Sequence, residues 1–417
     1  MTIVNSQPAP GVAPGGPAIP TCSSVEQVVA TLADDRPIHC LYPHGIDRAA
    51  ERFITGFAGI ALYAVKCNPD PVVLRRLAAA GVRHFDVASV AEIDAVRAVV
   101  PQAALYFMHP VKSRRAIAYA YHAGVRHFAL DSEAELAKIA EETQQNTRGA
   151  GDLALHVRLA RPCGGAAYDL SGKFGVDGDE AVALLRATRA VAAQLGITFH
   201  VGSQCMDPAA FARAIGACRQ MLDTAGVAAD VLDVGGGFPV AYPGMTPPPL
   251  ADYFDAISAA VADHGFQQAR LFAEPGRALV AEGGSLLVKV DLRRGDVLYI
   301  NDGTYGALFD AGIPRWRYPV RLVRPGRPSR APDALFRLYG PSCDSLDVME
   351  GPFVLPADVA EGDWIEIGQL GAYGAAMRTR FNGFYSDDTV LIDPPGGHRA
   401  ALAALPARHR ADRAAAQ

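Results

Sequence analysis

The 417 residues of this chain, half of them hydrophobic and a fifth charged, supply enough apolar material for two cores. A formal charge of −5 and a pI near 6.1 leave no basic surplus, which excludes the electrostatics of a nucleic-acid binder. No apolar run is long enough to span a membrane, and the first basic residue is Arg36, so the chain opens without the positive region of a secretory signal.

In chain order, residues 1–21 are rich in Pro, Gly and Ala and read as a disordered arm. Residues 22–57 form a lead-in, with its strand left open between the barrel that follows and a later β domain. From 58 to 281, short β-rich apolar runs alternate with Ala-rich helical stretches. The runs are IALYAVKCN (60–68), HFDVAS (84–89), ALYFMHPVK (104–112), HFALDS (127–132), LALHVRLA (153–160), ITFHVGS (197–203), VLDVGGGF (231–238) and RLFAEPGRALV (270–280). Between them, helices such as PVVLRRLAAAG stop at glycine. About eight β–α units in succession, with runs too uniformly apolar for one-sided strands, predict an α/β fold: a TIM-like (β/α)8 barrel, in preference to an open doubly wound sheet. From 282 to 395 the texture changes to antiparallel strands joined by Gly, Pro and Asp turns, which predicts an all-β C-terminal domain. Residues 396–417 are an Ala/Arg-rich tail. The arginines at 315–330 and 398–413 read as solvated charge. Seven cysteines, an odd number without CxxC pairing, predict reduced thiols in a cytoplasmic protein and neither a disulfide frame nor a zinc site.

Working residues of such a barrel collect where strands end. In order these are Lys66, Asp86, His109, Asp131, Arg158, His200 with Ser203, Gly235–Gly237, and Glu274 with Arg277. Lys66, flanked by apolar residues on an expected interior strand, is predicted to be desolvated, which favours a neutral amine able to attack an aldehyde. The glycine triplet lets backbone N–H groups approach a phosphate, and Arg277 offers a bidentate clamp for it. Glu274 is placed to keep a pyridine nitrogen protonated, and His200 to stack on its ring. Asp86 and Arg158 have supporting roles near the ring and the phosphate. The set suits a phosphorylated aldehyde cofactor with a ring nitrogen. In the β region, Cys343 lies in a polar Gly/Pro-bounded loop beside Asp344, unlike a core cysteine, and Tyr373 could reach a phosphate oxygen.

The ordered motifs YAVKCNP, FDVAS, FHVGSQ, DVGGGFP, EPGR, GPSCDSLD and GAYG, spread over residues 38–385, resemble the ornithine/diaminopimelate decarboxylase family of fold type III pyridoxal 5'-phosphate enzymes, most of all its bacterial ornithine/lysine decarboxylases. The resemblance implies a pyridoxal-phosphate-binding barrel with a C-terminal β domain, working as a head-to-tail homodimer whose active sites form at the interface, the Cys-Asp loop of one copy reaching the barrel of the other. It implies that Lys66 is the Schiff-base lysine, Glu274 the partner of the pyridine nitrogen, and His200 the stacking histidine. Ser203, Gly237, Arg277 and Tyr373 become phosphate ligands, with Gly235 and Gly236 in the same turn. Cys343 becomes the acid that reprotonates the product, and Asp344, with Tyr305, meets the substrate's distal ammonium. The diaminopimelate branch usually has Cys-Glu where this chain has Cys343-Asp344, so the implied substrate is L-ornithine or L-lysine, giving putrescine or cadaverine for polyamine biosynthesis. Eukaryotic ornithine enzymes carry a second acid after NDG. Here that stretch reads Ile313, Pro314, Arg315, with Asp310 the only acid nearby, which keeps longer or conjugated amines open, diaminopimelate and carboxynorspermidine among the alternatives. Two other readings fit the barrel less well. An alanine-racemase type would set an arginine, not Glu274, against the ring nitrogen, and a non-catalytic regulatory homologue would have lost Lys66, Glu274, Arg277 or Cys343.

Overall fold

The computed structural model describes residues 19–143, 151–160, 166–168 and 172–394; most of the N-terminal arm, the tail and Cys163 lie outside them. Eight parallel strands close a barrel: β1 (Ile60–Ala64), β2 (His84–Val87), β3 (Ala104–Phe107), β4 (His127–Leu130), β5 (Ala154–Arg158), β6 (Gln194–Thr198), β7 (Val231–Asp233) and β8 (Arg270–Ala273). Closure comes from β8 pairing with β1, Phe272 opposite Ile60 and Ala273 opposite Ala61. The strands are short and buried on both faces. Leu62, Tyr106, Met108, Ala129, Val231 and Phe272 fill the inside, while outward residues such as Tyr63, Phe85 and Phe128 pack under the helices.

The helices are fixed at the ends that matter for a site. Ser89, Ser113 and Ser132 each accept the N–H three residues on, from Glu92, Ala116 and Glu135, and Asp70 accepts that of Val72. Each cap satisfies a donor the first turn would leave unpaired and pins the loop leaving the preceding strand or turn. The opposite end of the barrel is plugged by neutral polar rings. His84 Nδ1 lies 2.8 Å from the Tyr106 hydroxyl, and His127 Nδ1 lies 2.9 Å from His156 Nε2. Burial, followed by neighbouring charge from Arg270, holds His127 down at about 4. His156 fits because residue 196 is glycine: a Cβ there would stand 2.1 Å from His156 Nδ1.

A nine-stranded sheet carries the rest. Its long central strand, Gly284–Arg294, pairs antiparallel with Val297–Ile300, Trp364–Ile367 and Ile38–Leu41. The lead-in strand Ile38–Leu41 therefore lies in this sheet and not in the barrel, between Gly284–Arg294 and Thr389–Ile392. Two sequence expectations change. β1 ends at Ala64 and Lys66 sits on the 3-10 turn Val65–Cys67; after β8 the residues Arg277–Val280 are helical, not strand. In the first case the Asn68 N–H closes the turn on the Val65 carbonyl. In the second the chain has left the barrel at Pro275-Gly276, and the Leu279 N–H bonds the Gly276 carbonyl.

No helix among the described residues is long and apolar enough to cross a membrane.

Candidate active site

Lys66 is exposed at the barrel mouth, against the expectation that it would be desolvated; the strand that was to bury it stops two residues earlier. Its turn is tied to the sheet side of the molecule. The Tyr373 N–H donates to the Cys67 carbonyl (2.9 Å), and Asn68 Nδ2 donates to the Gly371 carbonyl (2.8 Å). Asp86, Glu274, His200 and His109 share this mouth with Lys66, near enough for its charge to bear on the protonation of each.

Glu274 follows β8, buried, with Oε1 unpartnered among the described residues. Burial first, then the adjacent Asp233 carboxylate, pushes its proton affinity well above the usual carboxyl range, while Arg158 and Lys66 pull the other way. Asp86, at the end of β2, is likewise raised by burial and by Glu274, and its Oδ1 has no partner among the described residues. Buried carboxylates with unused acceptor atoms are costly unless something charged meets them.

The glycine triplet forms the wall beside them. Gly235 and Gly237 adopt φ of +65° and +99°. A Cβ on Gly235 would stand 2.1 Å from the Phe199 carbonyl oxygen, and one on Gly237 2.3 Å from that of Gly202. The His200 ring lies across the same turn, its Nε2 3.0 Å from where a Cβ of Gly236 would be. Its Nδ1 accepts the Gly202 N–H at 3.0 Å, which puts the ring proton on Nε2. Burial, then Arg158 and Lys66, hold that imidazole neutral. Ser203 opens the short strand Ser203–Cys205, which pairs with Ala166–Tyr168. Gly235→Ala should cost about 1–3 kcal/mol in backbone strain before any ligand is considered, read as a lower midpoint in chemical denaturation; an unchanged midpoint would mean the turn is slack.

Arg277 is buried beneath Tyr373. Its guanidinium stacks 4.5 Å from the Trp316 ring centre and 4.8 Å from that of Tyr373. One NH2 nitrogen bonds Asp310 at 2.7 Å, another the Tyr242 hydroxyl at 3.1 Å, and Nε has no partner among the described residues.

Cys343, Asp344 and Tyr305 form a second group on the sheet side. The Tyr305 hydroxyl donates to Asp344 at 2.6 Å and the Leu346 N–H to its other oxygen at 3.0 Å. These two bonds, the hydroxyl's first, hold Asp344 below the usual carboxylate range. The Cys343 thiol lies 3.5 Å from Asn382 Oδ1. Of the described cysteines it alone is exposed. Among the described residues, no hydrogen bond or ion pair joins this group to Lys66, Glu274 or the glycine turn. The structure thus brings together Lys66, Asp86, His200 and Glu274 around one mouth, and gathers Asp344 with Tyr305, next to Cys343, into a group of their own on the sheet side. Asp131, at the end of β4, serves the Gly175 N–H at 2.9 Å.

Sequence reasoning gave no site role to three polar residues here, although it noted Asp310 as the acid nearest the expected second-acid position. Asp233 lies beside Glu274 and accepts the Gly235 N–H at 2.9 Å. Gln204 clamps the glycine loop, its side-chain amide bonding both the N–H and the carbonyl of Val240 at 2.8 Å. Asp310 is the third. The first two stand inside motifs already read, VLDVGGGF and FHVGSQ; nothing local singled out their side chains.

The lining fits pyridoxal phosphate. A primary amine, a neutral imidazole, unpartnered buried carboxylate oxygens, a glycine turn that any Cβ would fill and a buried guanidinium with an unused Nε are groups that would suit its aldehyde, ring, ring nitrogen and phosphate. Such a lining on a (β/α)8 barrel beside a β sheet defines a fold type III pyridoxal-phosphate enzyme.

Comparison with known proteins agrees. Residues 44–281 match the family model of the pyridoxal-dependent decarboxylase, pyridoxal binding domain. The chain is 33% identical to a lysine/ornithine decarboxylase of Selenomonas ruminantium, over 83% of this chain and 86% of that one. Among solved structures it resembles the Paramecium bursaria Chlorella virus arginine decarboxylase (TM-score 0.76, 27% identity, 88% of this chain and 98% of that one). It also resembles a lysine/ornithine decarboxylase from Vibrio vulnificus complexed with putrescine (0.75, 28%, 89% and 97%). The chain belongs to the pyridoxal-dependent decarboxylase family.

Proposed function

We propose that this enzyme removes the α-carboxylate of a basic L-amino acid, L-ornithine or L-lysine before others, to leave the diamine, and that it serves polyamine biosynthesis in the cytoplasm. The observation that carries the substrate class is the Asp344 carboxylate, kept ionised by Tyr305 and set next to the exposed thiol of Cys343. An ionised carboxylate beside an acid suits a substrate with a reacting carbon at one end and an ammonium at the other.

Bound pyridoxal phosphate supplies the electron sink for the pair released when the Cα–carboxylate bond breaks. Around it the chain's residues divide the work. Lys66 would hold the aldehyde end of the cofactor. Glu274, supported by Asp86 and Arg158, would hold a proton at the ring nitrogen, and His200 would pack on the ring. The Gly235–Gly237 turn, Ser203, Arg277 and Tyr373 hold the phosphate. Cys343 delivers a proton to Cα after carbon dioxide leaves, and Asp344 with Tyr305 holds the distal ammonium.

Cys343 and Asp344 stand on an exposed rim with Leu346 (66% exposed) and Phe381 (43%). That exposure of a thiol and apolar side chains supports a homodimer in which the rim of one copy closes the barrel mouth of the other. Exposed apolar side chains beside a polar pair are in keeping with a surface that is covered in an assembly.

The experiment is a carbon-dioxide and amine screen over L- and D-ornithine, L-lysine, L-arginine, diaminopimelate and carboxynorspermidine, repeated on Asp344→Asn. Amine from L-ornithine or L-lysine is expected, with Asp344→Asn raising KM for diamino acids roughly tenfold, the scale of one charge-assisted hydrogen bond, and for neutral amino acids much less. Equal effects on both, or turnover of diaminopimelate alone, would reject the substrate assignment.

A further inference from the structure

We propose that Asp310 is a positioning residue of the phosphate site: it fixes the Arg277 guanidinium in the orientation from which that side chain meets the cofactor's phosphate, and so is not available to the substrate's distal ammonium. The inference rests on the reading just given of Arg277 as a phosphate ligand.

The Arg277 guanidinium is held by two hydrogen bonds and by aromatic rings. The rings of Trp316, Tyr373 and Tyr242 pack against the guanidinium, with centres 4.5, 4.8 and 5.9 Å from its carbon. The Tyr242 hydroxyl accepts from one terminal nitrogen and Asp310 Oδ2 from the other, while Nε is buried without a hydrogen-bond partner among the described residues. Asp310 also holds the lid of this box, because its carbonyl accepts the Trp316 N–H at 2.9 Å. One residue thus binds the arginine with its side chain and, with its carbonyl, the backbone N–H of the tryptophan whose ring packs on it. The side chains of Arg277 and Asp310 are only 6% and 14% exposed. Removing one member of so enclosed a pair leaves the other charge uncompensated, and the arginine must turn to find a new acceptor. Because Asp310 offsets the positive charge of Arg277, its benefit to phosphate binding must come through orientation, not charge. That distinction gives the test its sign.

The measurement compares equilibrium binding of pyridoxal phosphate and of pyridoxal, which lacks the phosphate, to the cofactor-free full chain, as wild type and as Asp310→Asn. The variant should bind pyridoxal phosphate about tenfold more weakly, the scale of a hydrogen bond to a charged group, with pyridoxal unchanged. KM for L-ornithine and L-lysine at saturating cofactor should move little. An unchanged preference for the phosphorylated form overturns the proposal. So does tighter binding, since the carboxylate would then be competing with the phosphate, and so does a KM rise with cofactor binding intact, which would make Asp310 a substrate contact. Arg277→Ala supplies the second arm: on that background Asp310→Asn should cause no further loss of phosphate preference, and an additive loss would show that Asp310 acts elsewhere. Should Asp310→Asn fail to fold, Asp310→Glu, which keeps the charge and displaces it, is expected to weaken the phosphorylated form selectively, and no such change would overturn the proposal. Wild-type chain that binds neither compound would instead defeat the cofactor reading itself.

Discussion

Lys66→Ala is expected to abolish covalent capture of the cofactor and to lower amine formation by on the order of 10⁴-fold or more, because the tether that presents the reactive carbon to each incoming substrate is gone. The variant should fold normally. Lys66 is exposed on a three-residue turn, and the bonds that hold that turn run through the backbone of Val65 and Cys67 and the side chain of Asn68, none of which the substitution removes. Borohydride treatment of the native protein should fix the cofactor to the peptide containing Lys66. The same treatment of Lys66→Ala should leave every peptide unlabelled. Label elsewhere on the chain would move the cofactor's anchor and, with it, the whole assignment of the mouth.

Cys343→Ala should act at a different point. Nothing in the mouth depends on the thiol, so cofactor binding and its absorption should match the native protein, while clean amine production falls by about 10²- to 10⁴-fold, the usual contribution of a positioned proton donor. Full activity would remove Cys343 from the reaction. A shared site adds a complementation test. Mixing Cys343→Ala with Lys66→Ala should restore up to about a quarter of native activity if one site in a mixed dimer is intact and copies exchange at random; a site built within one copy would show no recovery.

The barrel was legible because its strands are buried on both faces and separated by capped helices, so that apolar runs and Ser or Asp punctuation recur in step. The residues of the mouth were legible as polar exceptions at the ends of those runs. Legibility failed where backbone direction overrides composition. The run YAVKCN carries strand-like residues throughout, yet the chain turns at Val65, and the lysine expected to be buried is exposed. The run continuing past Glu274 through RALV is just as apolar, but it lies after the Pro-Gly exit from β8 and coils into a helix. Local pattern was also silent on partners distant in sequence. Gln204 meets Val240, and Asp310 meets Arg277, across 36 and 33 residues. The strand Ile38–Leu41 was open between two destinations because its composition suits either; its hydrogen-bond partners lie near residues 285 and 390.

That last arrangement bears on how the molecule is made. Thr21–Cys22 pairs with Leu391–Ile392, and Ile38–Leu41 lies between segments contributed some 250 and 350 positions later. The barrel is in effect an insertion within the sheet's own stretch of sequence. During synthesis the early strand must wait, unpaired, while all eight β–α units emerge and close. Seating it is then a late step, and it falls on the same side of the molecule whose Gly371 and Tyr373 grip the turn of Lys66. Competence for chemistry would accordingly be the last property the nascent polypeptide acquires.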